Sequence, residues 1–252
     1  MGTIAERLEI VKDNIARACE RARRDPDDIT LVAVTKTAPV DKIIEALRLG
    51  CSELGENRVQ NLKQITSEVA DYISQNSDKE QLPASVNWHM IGHLQRNKVK
   101  QTLKLVSLIH SVDTLRLAEE IDSSAKSLAM KVDILLQVNC SGEPQKYGVP
   151  VGAAVHLAEQ ISTMGNLRLM GLMTMAPLTR EKEVVRDSFI RARELFEELA
   201  SEKFADNNFR HLSMGMSQDY EIAVEEGATI LRIGSARSEE HTSELQSPNT
   251  IS

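Results

Sequence analysis

The chain has 252 residues, of which 41% are hydrophobic and 27% are charged, and its formal net charge is −7 at pH 7. A chain of this length and composition can bury the core of one large domain, and α/β barrels often reach this size undivided. Aromatic residues make up only 3% of the sequence. The low aromatic content and the negative charge argue against a nucleic-acid-binding protein, because such proteins need stacking surfaces and cations.

The cysteines and the N-terminus indicate the cellular compartment. Cys19, Cys51 and Cys140 are an odd number of cysteines at unrelated spacings, and no CxxC motif or histidine cluster accompanies them. This pattern predicts reduced thiols rather than a disulfide framework or a zinc site. The N-terminus lacks the apolar core of a signal peptide, and no apolar run reaches membrane-spanning length. We therefore expect a cytoplasmic protein with no bound metal and no membrane partner.

The predicted elements alternate between strands and helices. A helix with apolar residues at helical spacing comes first and ends before Asp25-Pro26. Eight strand candidates follow, at about residues 31–36, 53–57, 88–92, 108–112, 133–139, 168–175, 209–213 and 229–233. Helix-length stretches separate most of them, and eight such units predict a (β/α)8 barrel of the TIM type with an extra N-terminal helix. The sequence leaves open whether this first helix takes the place of a helix after the eighth strand.

Residues 237–252 differ in character from the rest of the chain. Segment 238–252 reads SEEHTSELQSPNTIS and has almost no apolar periodicity. Such a segment cannot bury enough apolar surface to offset the entropy of ordering it. We therefore expect one domain over residues 1–236, followed by a disordered tail over residues 237–252.

Lys36 is the last residue of an apolar, β-branched run that starts at Leu31 and is typical of a fully buried parallel strand. In a barrel, the carboxyl ends of the strands carry the chemistry. Two interpretations of Lys36 remain open. Its stem can extend along the strand end and take the amine to solvent, or the amine can be desolvated enough to act as a nucleophile toward an aldehyde.

Two segments that contain glycine and serine follow the last two strands. One runs from Ser213 through Met214 to Ser217, and the other is Gly234 with Ser235. The loops after the last two strands of such barrels form the usual phosphate site, where backbone N–H groups and hydroxyls converge on an oxyanion. Ordinary tight turns explain either loop alone. Two of them opposite a strand-end lysine favour an anion site.

Arg232 is a charged residue inside a strand, between Leu231 and Ile233. A guanidinium keeps its charge, so inside a barrel it requires an acceptor. An ion pair with Glu56 supplies one acceptor, and a nitrogen of a bound heteroaromatic ring supplies another. We interpret His110, in the fourth predicted strand, as a structural or surface residue.

Eight motifs stand in the same order as in a known family. They are LVAVTKT, ELGENRVQ, WHMIGHLQRNK, IHSVD, QVNCSGEPQKYGV, GLMTMAP, HLSMGMSQDY and VEEGATILRIGSA. Together they resemble the pyridoxal phosphate homeostasis protein family over residues 3–236. The resemblance implies a single barrel domain of the alanine racemase-like, fold-type III class. It also implies a cytoplasmic protein that binds pyridoxal 5′-phosphate (PLP) as a Schiff base and stores, buffers or delivers it without catalytic turnover.

The resemblance also implies roles for individual residues by their position in these motifs. Lys36 matches the lysine that forms the Schiff base, and Arg232 matches the arginine that faces the pyridine nitrogen. The remaining matches to cofactor-binding positions are Ser213, Gly234 and Ser235 at the phosphate, Met214 and Ser217 in the same loop, and Asn57 and His89 close to the cofactor. The family continues after RIGSA into a short apolar segment that this sequence lacks, so we expect the tail to be non-native.

An alanine racemase-like enzyme that uses the same lysine is the alternative function. Two-base racemisation needs an acid/base on each face of the cofactor, and in the racemases the second is a tyrosine from an additional domain of the partner subunit. No such domain is predicted here, and Tyr147 is only a remote candidate for that role. We therefore expect a monomeric PLP carrier without catalytic residues, with apo PLP-dependent enzymes as its partners.

Overall fold

Eight parallel strands close into a barrel in the computed structural model, which describes residues 2–36, 38–76, 78–143, 145–202 and 208–234. The strands are β1 (Thr30–Val34), β2 (Glu53–Glu56), β3 (Asn87–Met90), β4 (Leu108–Val112), β5 (Val132–Asn139), β6 (Val149–Pro150), β7 (Leu167–Met173), β8 (His211–Ser213) and β9 (Ile230–Gly234). The sheet order is β4-β3-β2-β1-β9-β8-β7-β5, and β4 also pairs with β5, which closes the ring. The two-residue β6 pairs with the end of β5. The predicted (β/α)8 barrel is confirmed.

Helices surround the barrel. They are α1 (Ile4–Ala22), α2 (Val40–Arg48), α3 (Val59–Asn76), α4 (Val99–Thr102), α5 (Leu115–Ser127), α6 (Val151–Ser162), α7 (Lys182–Ser201) and α8 (Tyr220–Glu225), with 3-10 turns at Pro26–Asp28 and Arg96–Lys98. Among the described residues, no helix is long and apolar enough to span a membrane. The predicted tail over residues 237–252 lies outside the described residues, so the domain limit at residue 236 stays a prediction.

The helix α1 packs beside the helix that precedes the last strand. It begins with a capping box, in which the Thr3 hydroxyl accepts from the Glu6 N–H and the Glu6 carboxylate accepts from the Thr3 N–H. Asn14 of α1 donates to the Tyr220 hydroxyl of α8 at 2.8 Å, and Arg21 forms an ion pair with Glu225 of α8. Since α1 also contacts α2, it occupies the position of the helix that would follow β9. This arrangement answers the question that the sequence left open.

The residues of each strand alternate between the helix layer and the barrel interior. The apolar part of the interior is a separate cluster of buried residues, namely Val32, Leu108, Leu135, Met170, Met173 and Ile230. Met170 and Met173 are three residues apart and would face opposite sides of a regular strand. Both belong to this cluster because a bulge in β7 shifts the register between them. Gly171 forms this bulge with φ at +145°, and a β-carbon there would overlap the carbonyl oxygen of His211 in β8.

Replacing Gly171 with alanine is therefore expected to destabilise the fold by at least about 2 kcal/mol, because alanine is strained at this φ and would push β8 away from β7. Gly152 of α6 is the matched control, since a β-carbon at that position meets no atom within 4 Å. Gly152→Ala should leave the free energy of unfolding unchanged or raise it by up to about 1 kcal/mol. Urea denaturation of both variants measures the difference, and equal stabilities would contradict the steric explanation.

Candidate functional site

Lys36 lies at the rim formed by the carboxyl ends of the strands. The strand β1 ends at Val34, and Lys36 begins the turn that follows, with its side chain exposed. The strand end predicted at residue 36 is therefore two residues too late, and Lys36 is exposed, as in the first of its two interpretations. Thr35 is buried, and its hydroxyl lies 3.1 Å from the Gly55 carbonyl oxygen and 3.2 Å from the Glu56 carboxylate. These contacts fix the backbone immediately before Lys36.

Glu56 organises the neighbouring turn instead of pairing with Arg232. Its carboxylate accepts from the backbone N–H groups of Asn57 at 2.7 Å and Arg58 at 3.2 Å. A β-carbon at Gly92, after β3, would overlap the backbone of Asn57. Asn57 is thus held at the rim by its main chain, close to the end of β3. The ion pair between Glu56 and Arg232, one of the two alternatives, is absent among the described residues.

Arg232 projects into the barrel from β9 and is only 4% exposed. Its Nη1 donates to the Ser213 hydroxyl at 2.6 Å, and its Nη2 donates to the Thr174 carbonyl oxygen at 2.9 Å. No carboxylate among the described residues forms an ion pair with it. Burial lowers the pKa of Arg232 to about 10, although Asp219 acts in the opposite direction. The guanidinium therefore stays charged at neutral pH while it contacts neutral acceptors.

A row of polar side chains continues from Arg232 through the barrel. His110 Nδ1 lies 3.0 Å from the Ser213 hydroxyl oxygen, and His110 Nε2 lies 2.8 Å from His89 Nδ1. His89 Nε2 then lies 2.7 Å from a carboxylate oxygen of Glu53. We call these five residues, Arg232, Ser213, His110, His89 and Glu53, the interior line. Since β4 and β8 are not neighbours in the sheet, the contact between His110 and Ser213 crosses the lumen.

His110 and Glu53 are the residues of this line that the sequence interpretation did not place in the site. The His110 side chain is 0% exposed, so the surface alternative is wrong. Burial lowers the pKa of His110 well below its ordinary value of 6.5, and the neighbouring His89 and Arg232 act in the same direction. A signal was available in the sequence, since a histidine in the middle of an apolar strand must find a buried hydrogen-bond partner.

The loop after β8 is joined to the end of β9 at the rim. The Ser217 hydroxyl accepts from the Gly234 N–H at 3.3 Å and lies 3.4 Å from the Gly234 carbonyl oxygen. Gly215 has φ at +91°, and its carbonyl oxygen accepts from the Arg232 N–H at 3.0 Å. A β-carbon at Gly215 would come within 2.6 Å of Ala223. The turn after β8 therefore requires glycine in order to lie against β9.

The residues predicted at the phosphate occupy different environments. Ser217 and Gly234 lie together at the rim, whereas the Ser213 hydroxyl is buried and contacts Arg232 and His110. The Met214 side chain is 0% exposed and belongs to the core between barrel and helices. Ser235 lies outside the described residues. Of the predicted phosphate-site residues that the structure describes, Ser217 and Gly234 therefore present polar groups at the rim.

The lowered pKa of His110 predicts a pH dependence of stability. The unfolded chain takes up a proton on this histidine near its ordinary pKa, and the folded chain does not. Stability is therefore constant above about pH 6.5 and falls below it, by up to about 1.4 kcal/mol per pH unit for one histidine. His110→Phe should lose less stability than the wild type between about pH 7 and pH 5.5.

Urea denaturation at several pH values measures this difference. His156→Phe is the control, because the His156 side chain is 76% exposed, and it should follow the wild type. Identical pH profiles for the wild type and His110→Phe would show that His110 is not the group responsible.

The environment of Arg232 predicts an unusual response to its removal. A buried charge without a counter-ion opposes folding, so Arg232→Met is expected to leave the melting temperature unchanged or to raise it. Arg186 is the matched control, because its guanidinium pairs with Glu225 and Glu226. Arg186→Met should lower the free energy of unfolding by about 2 kcal/mol. Thermal unfolding without added ligand compares the two variants, and a larger loss in Arg232→Met would contradict this reasoning.

Comparisons with known proteins agree with this geometry. Residues 7–237 match the family model described as alanine racemase, N-terminal domain. The chain is 40% identical over 229 residues to the pyridoxal phosphate homeostasis protein of Aquifex aeolicus. This match covers 91% of this chain and 94% of the Aquifex protein. It is 36% identical over 237 residues to the protein of the same name from Escherichia coli K12, covering 94% and 96% of the two chains.

A solved structure extends the comparison to three dimensions. PipY of Synechococcus elongatus with PLP bound superposes with a TM-score of 0.73 at 32% identity, over 88% of this chain and 97% of PipY. These matches span nearly the whole chain, and they confirm the resemblance seen in the motifs. The chain therefore belongs to the pyridoxal phosphate homeostasis protein family, whose members share the alanine racemase-like barrel.

Proposed function

We propose that this protein binds PLP through a Schiff base on Lys36 and serves PLP homeostasis, by storage, buffering or delivery to apo-enzymes, without turning over a substrate. The observation that carries this proposal is the buried Arg232, which has no ion-pair partner among the described carboxylates and lies on the strand next to that of Lys36. Such a cation can donate a hydrogen bond to a neutral acceptor on a bound ring. The names of the relatives and the PLP in the PipY structure support the same conclusion.

The described residues fit the three polar parts of PLP. The Lys36 amine suits the aldehyde, the free N–H groups of Arg232 suit the pyridine nitrogen, and the rim at Ser217 and Gly234 suits the phosphate. The register of the sheet supports this assignment, because Val34, two residues before Lys36, pairs with Gly234. Among the described residues, a β-carbon at Gly234 would meet only Val34, at 3.8 Å. Ser235 stays a proposed phosphate contact.

The bond to Lys36 is expected to be reversible. PLP, when bound, supplies an aldehyde that exchanges between amines and a ring that accepts electrons. The Lys36 amine, once it has lost its proton, attacks the aldehyde carbon, and the carbonyl oxygen leaves as water. Because Lys36 lies exposed at the rim, water or an incoming amine can reach this bond. A tether of this kind suits storage and release.

Arg232 favours storage, or racemisation, over transamination. A guanidinium donates hydrogen bonds and cannot accept a proton, so it keeps the pyridine nitrogen unprotonated. The ring is then a weaker electron sink than it would be beside a carboxylic acid. Ser213 and Thr174 hold the guanidinium in place, and we propose that Ser213 acts there through Arg232 rather than on the phosphate.

The racemase-like alternative depends on Tyr147. The hydroxyls of the other two tyrosines are engaged elsewhere, Tyr72 with Arg48 and Glu80, and Tyr220 with Asn14. The Tyr147 side chain is 57% exposed and stacks on the His93 ring, with 4.5 Å between the ring centroids. It is the tyrosine to test as a second acid/base.

We propose a cytoplasmic monomer, which is consistent with the three free cysteines.

Addition of PLP to the wild type should produce the visible absorbance of a Schiff base. Borohydride reduction should then leave a covalent adduct that peptide mass spectrometry places on Lys36. Lys36→Ala should lose both signals, because Lys36 is the lysine that follows β1, the strand paired with the Arg232 strand β9. Lys42→Ala is the control, since Lys42 is an exposed lysine of α2 paired with Glu45, and it should behave as the wild type. An adduct of equal yield in Lys36→Ala would overturn the assignment.

The PLP-loaded wild type should not interconvert the enantiomers of alanine at an enzymatic rate. It should instead activate an apo PLP-dependent enzyme, which provides a second readout. Racemisation that is lost in both Lys36→Ala and Tyr147→Phe would favour the alternative and sink the carrier proposal.

A further inference from the structure

The interior line connects the two ends of the barrel. Arg232 stands near the carboxyl ends of the strands, whereas Glu53 is the first residue of β2. The Glu53 side chain is 27% exposed and lines a cleft of about 310 Å³ at the amino-terminal end, together with Lys12 and Thr30. A continuous row of contacts therefore leads from the rim to solvent at the opposite face. Four of its five members are at most 4% exposed, namely Arg232, Ser213, His110 and His89.

The two ends of the line impose one direction on all its hydrogen bonds. Arg232 can only donate, and an ionised Glu53 can only accept. Burial raises the pKa of Glu53, but hydrogen bonds from His89 and Asn87 outweigh it and bring this pKa below its ordinary value. Glu53 is therefore ionised at neutral pH. The lowered pKa of His110 means that His110 is neutral under the same conditions.

The proton positions follow from these two ends. The Ser213 oxygen accepts from Arg232 Nη1, so its own O–H donates to His110 Nδ1. His110 must then carry its proton on Nε2 and donate to His89 Nδ1. His89 in turn carries its proton on Nε2 and donates to Glu53. The reverse arrangement would leave the buried Ser213 hydroxyl hydrogen without an acceptor in the line, which is unfavourable.

We propose that Glu53, His89 and His110 are positioning residues that act through Ser213 to hold Arg232 in the orientation that receives the ligand ring. Each member accepts from the residue on the Arg232 side and donates toward Glu53, so the line has one satisfied arrangement. Hydrogen bonds in such a row strengthen one another in a low-dielectric interior. The effect on the ligand rests on the proposed function, whereas the proton arrangement does not.

Nitrogen-15 NMR of histidine-labelled protein, without added PLP and at neutral pH, tests the proton arrangement. Both His89 and His110 should be neutral and carry the proton on Nε2, with assignments made from variants at each position. The tautomer with the proton on Nδ1 at either residue, or a doubly protonated ring, would overturn the proposed direction.

Glu53→Gln tests the coupling along the line. An amide can donate as well as accept, so this variant permits the reverse arrangement, and a population protonated on Nδ1 should appear at His110. A purely structural role would not change a tautomer two residues away in the line. Asn87→Ala is the matched control, because it removes the other partner of Glu53 and should leave His110 protonated on Nε2. An unchanged His110 tautomer in Glu53→Gln would contradict the coupling.

Titration with PLP tests the effect on the ligand. His110→Phe breaks the line and should weaken PLP binding about tenfold, while an adduct still forms on Lys36. His211→Gln is the control, because His211 is a neighbouring histidine of β8 that is not in the line, and its affinity should stay within about twofold of the wild type. Glu53→Gln, which preserves the volume of the side chain, should weaken binding by a smaller factor.

The possible failures are distinguishable. Equal affinities for wild type and His110→Phe, with the wild-type adduct present, would overturn this inference and leave the proposed function intact. If the wild type itself formed no adduct, the proposed function would fail, and the tautomers measured without PLP would still decide whether the line has the direction inferred here.

Discussion

A buried guanidinium that contacts only neutral acceptors is the constraint on which the site depends. Arg232 retains its charge in a low-dielectric interior, and the free-energy cost of that burial appears as a pKa lowered to about 10. The hydroxyl of Ser213 and the carbonyl of Thr174 offset part of this cost and fix the orientation of the side chain. The N–H groups that remain are directed by the same contacts, so a ligand meets a donor that is already in place.

The topology of the barrel brings together groups that are distant in sequence. Parallel strands present all their carboxyl ends at one rim, so Lys36 after β1 and Gly234 at the end of β9 become neighbours. The turn after β8 lies against β9 through Gly215 and Ser217. The helix α1 then covers the outer side of the last unit. Each of these features supports the position of Arg232 relative to the lysine.

The proposed function depends more on two other residues, Arg232 and Tyr147, than on Lys36 itself. In a barrel of this kind, a lysine at the end of the first strand serves equally well as a tether or as one of two catalytic bases. Arg232 weakens the ring as an electron sink, which suits storage or racemisation better than transamination. Among the described contacts, Tyr147 is the tyrosine whose hydroxyl has no structural partner. The choice between a reversible carrier and a racemase therefore depends on Tyr147. The interior line adds to this, because it connects the hydrogen bonds that orient Arg232 with residues at the opposite end of the barrel.

The sequence by itself determined the eight strands, the barrel and the presence of Arg232 in a strand, because alternation and apolar runs are local properties of the chain. It placed the end of β1 two residues too late and left the exposure of Lys36 open, since apolar character does not mark where pairing stops. Only the tertiary structure excluded Glu56 as an ion-pair partner of Arg232, by committing Glu56 to the turn at Asn57. Only the tertiary structure revealed the role of His110, whose contact with Ser213 spans 103 residues and crosses the lumen. Local patterns carry no information about which inward-facing side chains meet across a closed barrel.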